Sequence, residues 1–142
     1  MRNWVVLLVV LYGCNIGASE SDKSVASCPT HDFYRFARMF IESEKVQKAY
    51  ISGVLEHTIY RNMKGVFRAN ISSYKQGDVP QIVMDGIKSA KSRCLSISVN
   101  KYSPRRGVVS ANGVDSGVSI LYLFVRRACW ELVGVEDWSD VL

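Results

Sequence analysis

The chain has 142 residues, 48% hydrophobic and 22% charged, with eighteen Lys and Arg against thirteen Asp and Glu. That hydrophobic share excludes a disordered polyelectrolyte, and the length suits one domain with a real core rather than two. The net charge of +5 is thinly spread, and its tightest basic pairs, Arg105-Arg106 and Arg126-Arg127, fall where turns are expected. A nucleic-acid surface needs basic residues interleaved with stacking aromatics on one face, so nucleic acid is not an expected partner.

Arg2 opens the chain, Trp4 to Leu11 form an apolar run, and Leu11-Tyr12-Gly13-Cys14 closes it. A positive start, a short apolar middle and a small residue are the ordered parts of a secretory leader. The run is well short of the roughly 20 apolar residues that span a bilayer. With cysteine as the first residue after the cut, Leu11 to Cys14 resembles the lipobox of bacterial lipoproteins. That resemblance implies a signal peptide of residues 1–13 and a Cys14 carrying palmitate-type acyl chains, which in pairs hold a protein stably on a membrane. Asn15 after the cysteine, rather than Asp, implies sorting to the outer membrane, facing the periplasm. Other readings stay open: Cys14 as an ordinary residue of a leader cut near Ala18 or Ser19, giving a soluble secreted protein, or an uncleaved anchor.

Residues 14–27 are rich in Ser, Asp, Glu and Gly, lack an apolar period and read as a tether. The body, residues 28–142, is expected to be a single domain. Loss of Arg2 leaves seventeen basic and thirteen acidic side chains, and after Arg127 every charge is acidic: Glu131, Glu136, Asp137 and Asp140.

Phe33, Phe36, Ala37, Phe40 and Ile41 recur at the spacing of a helix with one buried face, with Thr30 or Asp32 as the cap. The stripe loses phase after Ser43, and Val46, Ala49 and Tyr50 begin another, so two short helices are expected, the second ending at Gly53. His57 to Arg61 reads as a strand and Gly65 to Ser72 as a weaker one. Asp78-Val79-Pro80 supplies a cap and an early proline for a third helix, on which Ile82, Val83, Ile87 and Ala90 share a face. From Cys94 the period becomes two: Leu95, Ile97 and Val99 alternate with Ser96, Ser98 and Asn100. A turn over Pro104 to Gly107, a poorer strand over Val108 to Ala111 and a turn over Asn112 to Gly117 follow. Ile120 to Val125 is apolar on both faces, which suits a central strand. In the last strand, Cys129 to Val135, Trp130 and Leu132 are expected on one face, Val133 and Val135 on the other. Helices first and then an antiparallel meander make an α+β fold, its sheet curled around a helix.

An oxidising compartment would pair two of Cys28, Cys94 and Cys129. Cys28 with Cys129 is favoured, because that bridge would pin the N-terminal end of the body to the sheet; three free thiols are the alternative. None has the close Cys/His spacing of a zinc site, so no metal is expected.

The opening pattern Phe33-x-x-Phe36-x-x-x-Phe40, then Val46-Gln47 and Gly53-Val54-Leu55, resembles small exported bacterial proteins of uncharacterised function. Their bodies have the cone-shaped fold of nuclear transport factor 2-like (SnoaL-like, cystatin-like) domains. Tyr122-Leu123-Phe124, Cys129-Trp130-Glu131-Leu132 and Glu136-Asp137-Trp138-Ser139 are similar to the last hairpin of that group. Arg61 to Lys91 carries no such likeness. The resemblance implies N-terminal helices on a curved antiparallel sheet, with a mouth that takes a small apolar ligand or an envelope protein partner, and no cofactor. The aromatics read first as core, with Trp130 closing it; the alternative makes Tyr50, Tyr60, Tyr102 and Tyr122 candidates for the lining of that mouth.

Enzymes of this fold often place Asp and His in the pocket as acid and base. His31 precedes the first helix, which leaves His57, with Asp85 on the later helix, as a dyad for a secreted hydrolase or isomerase. No Gly-Xaa-Ser-Xaa-Gly, phosphate loop or metal triad is present. The leading expectation is therefore a non-catalytic envelope lipoprotein with a binding domain. A His57-centred enzyme and a soluble secreted effector are the alternatives.

Overall fold

A computed structural model describes residues 27–79 and 94–141. The leader, Cys14 and its tether, and the expected helix from Pro80 onward, with Asp85, lie outside the described residues.

Helix α1 (Phe33–Glu42) starts where Asp32 accepts a hydrogen bond from the Arg35 amide at 2.9 Å, so Asp32 is the cap. Thr30 instead accepts from the Asp32 amide at 3.1 Å. Ser43 has extended backbone, closes α1, and caps α2 (Glu44–Ala49) by accepting from the Val46 amide at 3.4 Å. One residue thus ends one helix and begins the next, which is why the apolar stripe changes phase there. The second helix does not reach Gly53: it stops at Tyr50, whose carbonyl accepts from the Leu132 amide at 2.8 Å, and the chain passes directly into a strand.

Among the described residues there are six strands, β1 (Ile51–Met63), β2 (Val66–Lys75), β3 (Leu95–Ser103), β4 (Arg106–Gly113), β5 (Ser119–Arg126) and β6 (Trp130–Asp140). They form one sheet in the order β2-β1-β6-β5-β4-β3. From β3 to β6 the antiparallel meander is present. The sheet is nevertheless mixed, because β1 lies parallel to β6. The first two strands are longer than expected and make a hairpin with turn residues Lys64 (φ 56°) and Gly65 (φ 84°), the Gly65 amide donating to Asn62 Oδ1 at 2.9 Å. Positive φ at both central residues matches the right-handed strand twist, and glycine takes it without strain.

Three further local expectations change. Gln76–Asp78 form a single 3-10 turn, and Val79 is extended rather than helical. The turn after β3 is confined to Pro104 and Arg105; Gly107 belongs to β4 and lies under the Phe33 ring, where a side chain would collide. Finally, Leu123 pairs with Gly134 but Phe124 with Leu132, so Val133 is an extra residue in β6. This bulge returns Val135 to the core face with Trp130 and Leu132, not to the face of Val133.

The core is one cluster on the concave face, with Phe33, Phe36, Ala37 and Phe40 from α1 against Ile51, Leu55, Val109, Ala111, Tyr122, Phe124, Trp130, Leu132 and Val135. Phe124 takes edge contacts from Phe33, Phe36 and Phe40 at ring separations of 5.7, 5.9 and 5.0 Å. Trp130 packs at 4.7 Å from Phe33 and donates its indole N–H to the His31 carbonyl at 3.0 Å. The buried indole is therefore satisfied at the point where the chain enters α1. Cys28 and Cys129 are disulfide-bonded with Cα atoms 5.4 Å apart, and Cys94 is an exposed thiol.

Gly107→Ala pushes a methyl group into the Phe33 ring and is expected to lower stability by about 1–3 kcal/mol, measured by urea unfolding. The disulfide closes a separation of 101 residues. Reduction or Cys129→Ser is expected to lower stability by about 2–5 kcal/mol, read as a shifted unfolding midpoint with and without reductant.

Candidate functional site

The concave face of the sheet is filled where α1 packs on it. Phe33, Phe36, Phe40, Tyr122, Phe124 and Trp130 all have 1% exposure or less, so aromatic rings occupy the volume where a ligand would otherwise sit. The four tyrosines considered as a lining do not converge. Tyr122 is core, and Tyr50 is half-buried edge-on against Phe36 at 5.6 Å. Tyr60 lies on the outer face, stacked on Trp138 at 3.7 Å, while Tyr102 is 71% exposed near the end of β3.

His57 is half-buried on β1, opposite Ser72 of β2 and Val135 of β6. Because Val135 is a core residue, His57 faces the concave side, away from Thr58 and Tyr60. Tyr74 shares that side, its ring 6.5 Å from the imidazole. So does Asp137, which pairs with Ile59 and stands two positions further along β6 than Val135. Register thus places the Asp137 carboxylate, whose Oδ1 accepts a hydrogen bond from the Ser139 amide at 2.9 Å, on the same side as His57. Sequence spacing carries no signal of this, since eighty residues separate the two in the chain. His31 is exposed before α1 and contributes its carbonyl to Trp130.

Surface concavities among the described residues lie around the filled core. A cleft of about 280 Å³ separates α1 from β3, lined by Tyr34, Arg38, Ile41, Glu42, Ile97 and Val99. Its floor is the inward side of β3, where Ile97 and Val99 pack against the core without being covered completely. A wider hollow of about 680 Å³ lies at Pro104, Arg105, Val125, Arg126 and Arg127. There Arg127 is held by Glu131 at 2.9 Å and donates to Ser52 Oγ at 3.4 Å. Another, about 300 Å³, lies on the outer face beneath Trp138, with Ser119, Leu121 and Val141. Among the described residues there is no grouping of His, Cys, Asp and Glu fit to hold a metal, and no helix long and apolar enough to cross a membrane.

Tyr60 and Trp138 join β1 to β6 through their faces. A double-mutant cycle of Tyr60→Leu and Trp138→Leu is expected to give a coupling of about 0.5–1.5 kcal/mol, measured by thermal or urea unfolding.

No family model and no curated protein matches the chain. Among solved structures, the chain is similar to an NTF2-like protein from Bacteroides fragilis, with a TM-score of 0.52 and 17% identity over 75% of this chain. It spans 46% of the length of that protein. An NTF2-like protein of unknown function from Silicibacter pomeroyi aligns over 73% of this chain and 89% of its own, at 6% identity and a TM-score of 0.40. At such identities the likeness is one of architecture. Two helices on a six-stranded mixed sheet, with the core on the concave side, are the nuclear transport factor 2-like cone fold.

Proposed function

We propose that this protein is a non-catalytic envelope lipoprotein, held to the membrane by acylated Cys14, whose cone domain binds a small apolar ligand or an envelope protein at its surface. The observation that supports the binding part is the packed aromatic interior beside an open, largely apolar cleft between α1 and β3, which is the site we assign to recognition. A floor of Ile97 and Val99 with Arg38 and Glu42 among the lining has the make-up of a binding site: apolar contact with a few polar groups to orient the occupant. Export is supported by the order of charge, apolar run and small residue before Cys14, and by the Cys28–Cys129 disulfide, which persists in oxidising compartments.

The placement of Asp137 on the same face as His57, two positions beyond its partner Val135, favours one second reading, a secreted hydrolase or isomerase, since a carboxylate within reach can orient an imidazole.

Mass spectrometry of the mature N-terminus tests the anchor: a chain beginning at an acylated Cys14 is expected, and one beginning near Glu20 without acyl mass would sink it. A thermal-shift screen tests the cleft. Apolar ligands are expected to stabilise the protein but not Val99→Glu, whereas ester or amide turnover abolished by His57→Gln would replace this reading with the enzyme.

A further inference from the structure

The β1–β2 hairpin ends in a group of side chains that the cone fold does not use. Met63, Val66 and Phe67 are 57%, 59% and 62% exposed. They do not share a face. Met63 pairs with Val66 on one side of the ribbon, while Phe67 pairs with Asn62 and projects from the other. A partner laid on one face of the sheet would cover only part of this group. A medium that surrounds the tip would cover all of it.

The charges point to the same medium. From His57 to Gly77 every charged side chain is basic: Arg61, Lys64, Arg68 and Lys75. Lys64 occupies the turn, and Arg61 and Arg68 are directly opposed across the ribbon, two residues behind the apolar pair. Like charges facing each other across a strand pair are destabilising without an anion near them. Arg61 has one, Asp140 at 3.5 Å, whereas Arg68 has no ion-pair partner among the described residues. Two strand residues set the arginines about 7 Å behind the tip. Side chains that enter an interface bury about 5–10 Å into the boundary between headgroups and acyl chains, so apolar groups at the tip and Arg68 at phosphate level match that depth. A second copy of this chain would bring like charges together, which disfavours pairing through β2.

We propose that the β1–β2 hairpin is a membrane-contact element that inserts Met63, Val66 and Phe67 end-on into an anionic lipid surface, with Lys64 and Arg68 on the lipid phosphates. The contact is separate from any acyl anchor, because the hairpin tip and Cys28 lie at opposite ends of the sheet. Cys28 is bonded to Cys129, just before β6 begins, whereas the tip extends past the end of β6.

The test uses the full chain with Cys14→Ser and Cys94→Ser, which removes the acylation site and the free thiol together. A nitrobenzoxadiazole label on Val66→Cys reports the tip. One on Arg105→Cys, in the β3–β4 turn, reports the opposite end. With phosphatidylglycerol vesicles the tip label is expected to brighten and shift to the blue, while the Arg105 label stays water-like. Phosphatidylcholine vesicles should need at least about tenfold more lipid for the same response, given two cationic side chains at the surface. Met63→Ser with Phe67→Ser should abolish the response, and Arg68→Ser should raise the lipid requirement, both without changing the melting temperature, since these side chains are exposed. An unchanged tip label with phosphatidylglycerol overturns the proposal. So does an equal response to the two lipids, or a response at Arg105 as large as at the tip. Because Cys14 is absent throughout, these outcomes are independent of whether the natural N-terminus is acylated.

Discussion

Everything in this molecule hangs on the contact of one α1 face with Phe124. Three phenylalanines of the helix present their rings to that single strand residue at 5.0 to 5.9 Å. Each such ring brings roughly 1.5–3 kcal/mol of apolar burial, so the cluster outweighs any polar contact at the surface. A helix that short is marginal alone and persists because its apolar face is covered. The sheet in turn is curved, and its concave side is closed at one end by those rings. Gly107 is part of the same contact, since only bare backbone leaves room for Phe33.

This explains which parts of the fold were legible in the chain. The α1 stripe and the alternation of β3 could be read because burial is one-sided there and leaves a period in the sequence. Two helices and an α+β order followed from these periods, while the cone architecture came from the resemblance to nuclear transport factor 2-like proteins. The β1–β2 hairpin was only half-visible, since every residue of β2 except Tyr74 is exposed and no face is marked by burial. The parallel pairing of β1 with β6 joins segments distant in the chain, and no local pattern encodes it. Gly107 looked like a turn residue because its true constraint, the Phe33 ring, comes from more than seventy residues away. The bulge at Val133 misled for a similar reason: strict alternation sends Val135 outward, and one added residue brings it back.

The candidate site was less legible than the fold, for the same physical cause. Aromatic residues suggested both a core and a pocket lining, and composition cannot separate the two. Packing does so, by consuming Tyr122, Phe33, Phe36, Phe40 and Phe124 in the core and leaving Tyr60 on the opposite face, stacked on Trp138. The cleft between α1 and β3 needs Tyr34 and Arg38 from one segment and Ile97 and Val99 from another. None of these is unusual alone. The placement of Asp137 on the face of His57 is likewise set by strand pairing rather than by spacing.

The two ends of the sheet are stabilised by different means, and this divides their roles. At the end where α1 begins, the disulfide, the Trp130 to His31 hydrogen bond and the Arg127 to Glu131 pair converge within a few residues of Cys129. Chain entry is fixed there by covalent and buried polar constraints. At the far end, the β1–β2 ribbon extends beyond the core, held by its ladder, the turn at Lys64 and Gly65, and the exposed Arg61 to Asp140 pair. An exposed ion pair of that kind contributes at most about 1 kcal/mol. Local opening is therefore easiest at the hairpin tip, where few apolar contacts oppose it. A ribbon that is loosely held, basic and apolar at its end can adapt to a surface without disturbing the aromatic core. The stiffness of the α1–Phe124 cluster is what lets the far end stay so exposed.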